Sequence, residues 1–339
     1  MDPSGILQAY STKNILITGG AGCIGSNMVQ TLLKAEPKHI MVLDDFSSSY
    51  QWNLTKNPLL TVIDGSILDE QKLKEVFHKK PDYVFHLAAH FANQNSIDHP
   101  ETDLMVNGLG LLRVLEYSRL TDVKRLVFAG SGCSVYGSHA EIPFREETVS
   151  LKLDTPYQIH KLLGELYCNH YHEIYGLETS IGRFFNVFGP GEVPGPYRNV
   201  IPNFMWKAIH NQPLTITGTG DETRDFAYVE DVVDGVLRLG VIDAAKGEAM
   251  NLASGKETSV KELAQLINGI TDNPTETVFV PKRDWDKSNR RLASIEKAQK
   301  LIGYDPKMDF KTGLENVHNW IQTNRENIIN SVGPTAKLW

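Results

Sequence analysis

Short apolar runs alternate with longer amphipathic stretches through the first half of the chain. Ile15-Leu16-Ile17 ends in Gly19-Gly20 and predicts a buried strand; helical periodicity follows through Met28, Leu32 and Leu33 until Pro37 breaks it. Further strands are predicted at 39–43, 60–63, 83–89, 125–129 and 179–187. Helices are predicted at 69–80, 101–119 and 156–175. The first of these opens on acids and closes on Lys79-Lys80, the order that suits a helix dipole.

That rhythm argues for an α/β fold, with one parallel sheet covered by helices on both faces. It changes after about residue 190, where Pro190, Pro194, Pro196 and Pro202 crowd a short span. Later helices are predicted at 203–210, 230–239, 259–269 and 312–324. Ser259 with Glu262 and Thr312 with Glu315 have capping-box spacing. The expected division is 1–190 for the sheet domain and 191–339 for a smaller C-terminal lobe over the sheet's carboxyl edge, with a return to the sheet around 220–255. No internal repeat is visible.

Composition adds exclusions. Of 339 residues, 41% are hydrophobic and 22% charged, which is ordinary globular usage and excludes a disordered chain. The formal charge of −7 argues against nucleic acid or a membrane surface as a partner. No apolar run approaches the length of a membrane span, and residues 1–12 lack the apolar core of a signal peptide. The cysteines Cys23, Cys133 and Cys168 form no Cys-x-x-Cys pair, so no metal site is expected and a reducing cytoplasm fits.

Gly19-Gly20-Ala21-Gly22-Cys23-Ile24-Gly25 lies between the first strand and the first helix. Gly19, Gly22 and Gly25 allow a tight turn and close approach of backbone to a pyrophosphate, with free N–H groups at the helix start, Cys23 and Ile24 among them. This predicts a dinucleotide site in a Rossmann-type doubly wound sheet. Asp44, at the end of the second strand, is the expected acceptor for ribose hydroxyls. No Lys or Arg occurs from Asp44 to Tyr50, which favours NAD over NADP. Asp64-Gly65 is expected at the adenine edge.

Tyr157 and Lys161 stand four residues apart, on one face of a predicted helix. A lysine so placed lowers the pKa of the phenol and can hold a ribose, leaving Tyr157 to exchange a proton with a hydroxyl or carbonyl.

With these residues the chain resembles the extended short-chain dehydrogenase/reductase family, in its nucleotide-sugar epimerase/dehydratase branch that includes UDP-glucose 4-epimerase-like members. The resemblance runs nearly full length. It includes His86-Leu87-Ala88-Ala89, Val106-Asn107-Gly108, Ser134-Val135-Tyr136-Gly137, Arg183-Phe184-Phe185-Asn186 and Arg224-Asp225-Phe226. It implies a bound NAD, contacted also by Leu87, Ala88 and Ala89, that oxidises a sugar hydroxyl and later reduces the ketone. It implies Tyr157 as proton acceptor with Lys161 beside it. It places Asn186, Asn199, Val200, Thr215, Arg224, Arg283 and Asp286 on a nucleoside diphosphate, UDP being the favoured one. Two arginines and two amides suit a diphosphate, and an acid suits ribose hydroxyls. It also implies a homodimer through the helices at 101–119 and 156–175, with Leu104, Leu111, Leu112 and Leu115 as the packing surface.

The loop Gly130-Ser131-Gly132-Cys133-Ser134 bears on the reaction. Family dehydratases carry an Asp-Glu pair where Cys133 and Ser134 stand, and decarboxylases a Glu at the Ser134 position. Their absence disfavours elimination and favours epimerisation, first at C4. The alternatives are epimerisation at another carbon, a 4,6-dehydratase, a ketosugar reductase, or a non-catalytic NAD-binding sensor. The family's catalytic Ser or Thr falls at Gly132, so Ser134, Ser131 or a water is expected to supply the missing hydroxyl. His90, His160 and Arg290 are left with two readings each, a part in the site or a bland structural role.

Overall fold

The computed structural model describes residues 2–138 and 140–333. β1 (Asn14–Thr18), β2 (His39–Asp44), β3 (Leu60–Asp64), β4 (Tyr83–His86), β5 (Arg125–Ser131) and β6 (Thr179–Phe184) form a parallel sheet. The short β7 (Thr215–Thr217) and β8 (Thr223–Arg224) follow, and then β9 (Ala249–Leu252), which joins the sheet beside β6. The order is β3-β2-β1-β4-β5-β6-β9. The chain winds outward from β1 in one direction and from β4 in the other, so their carboxyl ends flank a crevice of the kind in which ligands bind.

The sheet is buried on both faces, which is why its strands read as continuous apolar runs. Side chains alternate along β1: Ile15 and Ile17 enter one core and Leu16 the other, and all three are fully buried. Two further pairings, β8 with β10 (Thr258–Ser259) and β7 with β11 (Val278–Val280), stand beyond the carboxyl edge.

The helix Pro156–Tyr175 has its predicted bounds. Thr155 caps its start, Pro156 occupies the first turn and Gly176 ends it. Gly164 lies against β5 so closely that a Cβ there would stand 2.5 Å from the Phe128 ring. One residue on, the buried Glu165 accepts from Arg183 of β6 at 2.8 Å and 3.0 Å. Arg183 also donates to Tyr136 Oη and the Glu146 carbonyl, and burial opposed by these partners leaves it raised above the ordinary guanidinium value.

Several expectations are corrected. β4 ends at His86, and Leu87-Ala88-Ala89 turn away over the crevice. The helical stretch 100–120 contains seven residues of wide π-type turn, Leu104–Gly110, invisible to a search for 3.6-residue periodicity. Ser259 caps its helix as predicted, but the helix Phe310–Thr323 is capped by Asp309, whose carboxylate accepts from the Thr312 backbone. Leu111 and Leu115 are buried against the sheet, and Leu112 packs on the same core. The apolar pattern at Leu111 and Leu115 therefore reports the chain's own interior, while Leu112 is half-buried.

The Glu165–Arg183 pair generates a prediction. Glu165→Ala should cost about 3–5 kcal/mol in denaturant unfolding, because it leaves a buried guanidinium uncompensated. An unchanged midpoint would show that the pair does not hold the helix to the sheet.

Candidate active site

A cavity of about 780 Å³ opens at the carboxyl ends of β1, β4 and β5 and is roofed by the C-terminal lobe. Gly19, Gly22, Cys23, Ile24 and Gly25 line its floor. Gly19 has φ of +71°, and a Cβ on it would meet the Ala88 backbone at 2.6 Å. Gly22 begins the helix Cys23–Leu33 with no side chain capping it, so the first N–H groups of that helix face the cavity unclaimed. This cradle fits a pyrophosphate. Asp44 lines it too, but its carboxylate is already engaged: Oδ2 accepts from Ala21 N, and Oδ1 from Phe46 N and Ser49 Oγ. In this structure Asp44 braces the glycine turn. Gly65 reaches the wall, whereas Asp64 lies outside it, on a neighbouring depression beside Tyr50 and Trp52.

Leu87, Ala88 and Ala89 cross the middle of the cavity, and Tyr157 and Lys161 stand at its base. The Lys161 ammonium donates to the Ala129 carbonyl at 2.8 Å and lies 5.5 Å from the centre of the Tyr157 ring. Burial pushes Lys161 down to about 8, and burial followed by the charge of Asp103 raises Tyr157 well above the ordinary phenol. Phe91 meets the Tyr157 ring edge-on.

Ser131 and Ser134 both line the cavity and bond to each other at 2.8 Å. Cys133 lies on the wall as well, accepting weakly from Asn186 Nδ2. Gly132 is explained by Phe185: a Cβ at 132 would lie 1.9 Å from Cε2 of that ring. The volume a serine side chain needs is filled by protein, not by ligand.

Asn186, Asn199, Val200, Thr215, Arg224, Arg283 and Asp286 all line the opposite half. Thr217, on the same strand as Thr215, does so too. Arg224 donates to Asp286 at 3.1 Å, and Asp286 Oδ1 is buried without a hydrogen bond. Asn199 precedes the helix Val200–Ala208, a second helix start without a side-chain cap, and donates to Glu192 at 2.9 Å. Burial pushes Glu192 up to about 7.

Arg291, Trp285 and Glu192 are among the wall residues that escaped sequence reasoning. Arg291 stands 3.6 Å from Asp286 and is buried, while its neighbour Arg290 pairs with Glu257 outside the cavity. Adjacent arginines carry no signal that tells inward from outward on an irregular segment. Trp285 donates to Gln94 at 2.7 Å, tying the roof to the short helix Asn93–Asp98 beyond β4. Glu192 lay in a proline-rich run with no pattern to mark it. Of the histidines, His90 reaches the wall, and His160 turns to Asp103.

The described residues contain no cluster of side chains arranged for a metal ion and no helix long and apolar enough to cross a membrane. Residues 15–253 match the NAD dependent epimerase/dehydratase family. The chain is similar to an epimerase of Methanothermobacter thermautotrophicus, with 53% identity, 97% of this chain and 98% of that one covered, and a TM-score of 0.96. The UDP-glucose 4-epimerase of Thermotoga maritima, solved with UDP-glucose, is 31% identical over 92% of this chain and 99% of its own, with a TM-score of 0.87. A putative UDP-glucose 4-epimerase of Methanocaldococcus jannaschii is 34% identical over 310 residues, 91% of this chain and 99% of its own.

Gly132→Ser should displace Phe185 and lower activity at least tenfold, with a loss of about 1–3 kcal/mol in stability from overpacking. Stability and turnover equal to the parent would show that the ring does not govern position 132.

Proposed function

The chain belongs to the NAD-dependent epimerase/dehydratase family, and we propose that it epimerises a UDP-sugar at C4 through a transient ketone. One observation carries the reading. Tyr157 and Lys161 form the acid–base pair at the cavity base, while the turn beside them presents Cys133 and Ser134 in place of the carboxylates that elimination needs. The other acids on the wall are engaged elsewhere. Asp44 holds the glycine turn, Asp45 accepts from Ser47, Asp286 from Arg224, and Glu192 from Asn199. The names of the relatives point the same way, since two of those above are 4-epimerases of UDP-glucose, one of them putatively.

NAD, when bound, supplies the acceptor and donor of hydride. Gly19, Gly22, Cys23, Ile24 and Gly25 hold its pyrophosphate, with Asp44, Gly65 and the Leu87–Ala89 turn along its length; Asp64 is not assigned a contact. Lys161 stabilises the Tyr157 phenolate and orients a ribose. Tyr157 takes the proton of the sugar hydroxyl and returns it after the ring has turned. Ser131 and Ser134 supply the hydroxyl bridge that Gly132 lacks. Arg224, Arg283 and Arg291, with Asn186 and Asn199, neutralise the diphosphate. Val200, Thr215 and Asp286 contact the nucleoside. Residues 1–190 then act as the NAD-binding domain and 191–339 mainly as the substrate lobe, which returns β9 to the sheet. Three free cysteines accord with a cytoplasmic location.

The protein is further read as a homodimer. The helix Pro156–Tyr175 exposes Ile159 (51%) and Leu166 (57%), and the neighbouring wide-turn segment exposes Leu104 (48%) and Met105. Leu104 alone is retained from the expected surface.

Purified protein with NAD and no added reductant should bring UDP-glucose to a mixture with its C4 epimer. Tyr157→Phe should slow this by roughly 10²–10⁴-fold without loss of binding. Full activity of that variant, or accumulation of a keto or dehydrated product, would refute the reading. Leu166→Glu should convert the dimer to monomer in sedimentation at micromolar concentration; a parent that already sediments as a monomer refutes the pairing.

A further inference from the structure

Asp103 stands where the short helix Pro100–Asp103 meets the wide-turn segment, and it is wholly buried. Its Oδ2 lies 2.5 Å from His160 Nδ1. Its Oδ1 accepts from Asn107 Nδ2 at 2.9 Å and lies 3.4 Å from His90 Nδ1. Asn107 in turn clamps His90, accepting from its backbone N–H and donating to its carbonyl. The result is a buried carboxylate between two imidazoles, none of which the reaction above uses.

His160 follows Tyr157 by three residues and directly precedes Lys161 on the same helix. A buried carboxylate without a counter-charge is costly, and the imidazoles of His160 and His90 are the only groups able to bring a positive charge into hydrogen-bond contact with this one among the described residues. The charge of Asp103 bears on both members of the acid–base pair: it opposes ionisation of Tyr157 and favours the charged form of Lys161. Other groups facing this region are Cys168 and Glu165 on the same helix, Cys133 on the turn after β5, His86 at the end of β4, His90 on the loop after it, and His99, whose ring lies edge-on to His90.

We propose that the Asp103–His160 pair, buttressed by His90, is a positioning group that sets the acidity of Tyr157, the His160 proton cancelling a carboxylate charge that would otherwise keep the phenol protonated. The proposal rests on the reading of Tyr157 as the proton acceptor. It assigns no contact with substrate to either residue; both act through the field at the phenol and through the geometry of the helix that carries it.

The test is the pH dependence of two variants. His160→Asn keeps an N–H donor where Nδ1 stood and removes the ionisable ring. With Asp103 left uncompensated, the limb on which kcat rises with pH should move up by roughly one pH unit. Asp103→Asn removes the negative charge and should move the same limb down. The phenolate absorbance of Tyr157, taken as the difference from the Tyr157→Phe protein, should titrate in the same directions without any turnover. A merely structural role lowers the amplitude of the profile and leaves its position alone. Because Asp103 is wholly buried and its variant can fail to fold, His160→Asn decides. An upward shift supports the proposal, and an unshifted or downward profile overturns it. If Tyr157→Phe retains full activity, the reading of Tyr157 has failed. If that variant is inactive and His160→Asn is unshifted, only the present inference has.

Discussion

The seat of the helix Pro156–Tyr175 on the sheet determines where every reacting group stands. Three successive features hold it there. The Lys161 ammonium is tied to the Ala129 carbonyl, Gly164 lets the helix come down on Phe128, and Glu165 is locked to Arg183. Each would be unfavourable without the others: a buried ammonium, a mid-helix glycine and a buried ion pair are tolerated because together they leave one position for the helix. Tyr157, one turn before Lys161, is consequently delivered to the mouth of β5 beside the Ser131–Ser134 pair.

The second determinant is the division of charge along the cavity. One half offers the unclaimed N–H groups of the helix Cys23–Leu33 and no Lys or Arg on the Asp44–Tyr50 segment. The other half holds Arg224, Arg283 and Arg291, with Arg224 and Arg291 beside the Asp286 carboxylate. Burial and the adjacent Arg291 charge push Arg224 down, which marks a cluster built to be neutralised by an anion. On the proposed reading, a dinucleotide on one side and a nucleoside diphosphate on the other would leave the sugar over Tyr157. The Phe185 ring closes the space at Gly132, so the proposed hydroxyl bridge falls to the neighbouring serines.

Much of this was legible in the chain itself. The strand–glycine–helix order at 15–33 and the Tyr157/Lys161 spacing depend on local geometry, which periodicity and residue type report directly. The Arg183–Glu165 tie and the reason for Gly132 depend on partners 18 and 53 residues away, and nothing local announces them. Leu111 and Leu115, expected on a dimer surface, lie in the interior instead, because an apolar stripe does not say which of two neighbours it faces. The wide turn at Leu104–Gly110 rotates the register within that helix, so Leu104 and Met105 face outward while Leu111 turns in. Arg291 was passed over for Arg290 for a similar reason: on an irregular segment neither period nor composition fixes the direction of a side chain.

The central claim is that one ring hydrogen leaves a sugar carbon and returns to the same carbon, with Tyr157 moving only the hydroxyl proton. Turnover of UDP-glucose carrying deuterium at C4, followed by nuclear magnetic resonance of both epimers, tests it most directly. The label should stay at C4 in both, the labelled substrate should react more slowly, and no solvent hydrogen should enter the ring. Loss of the C4 label to solvent, or solvent hydrogen appearing at a neighbouring carbon, would contradict it.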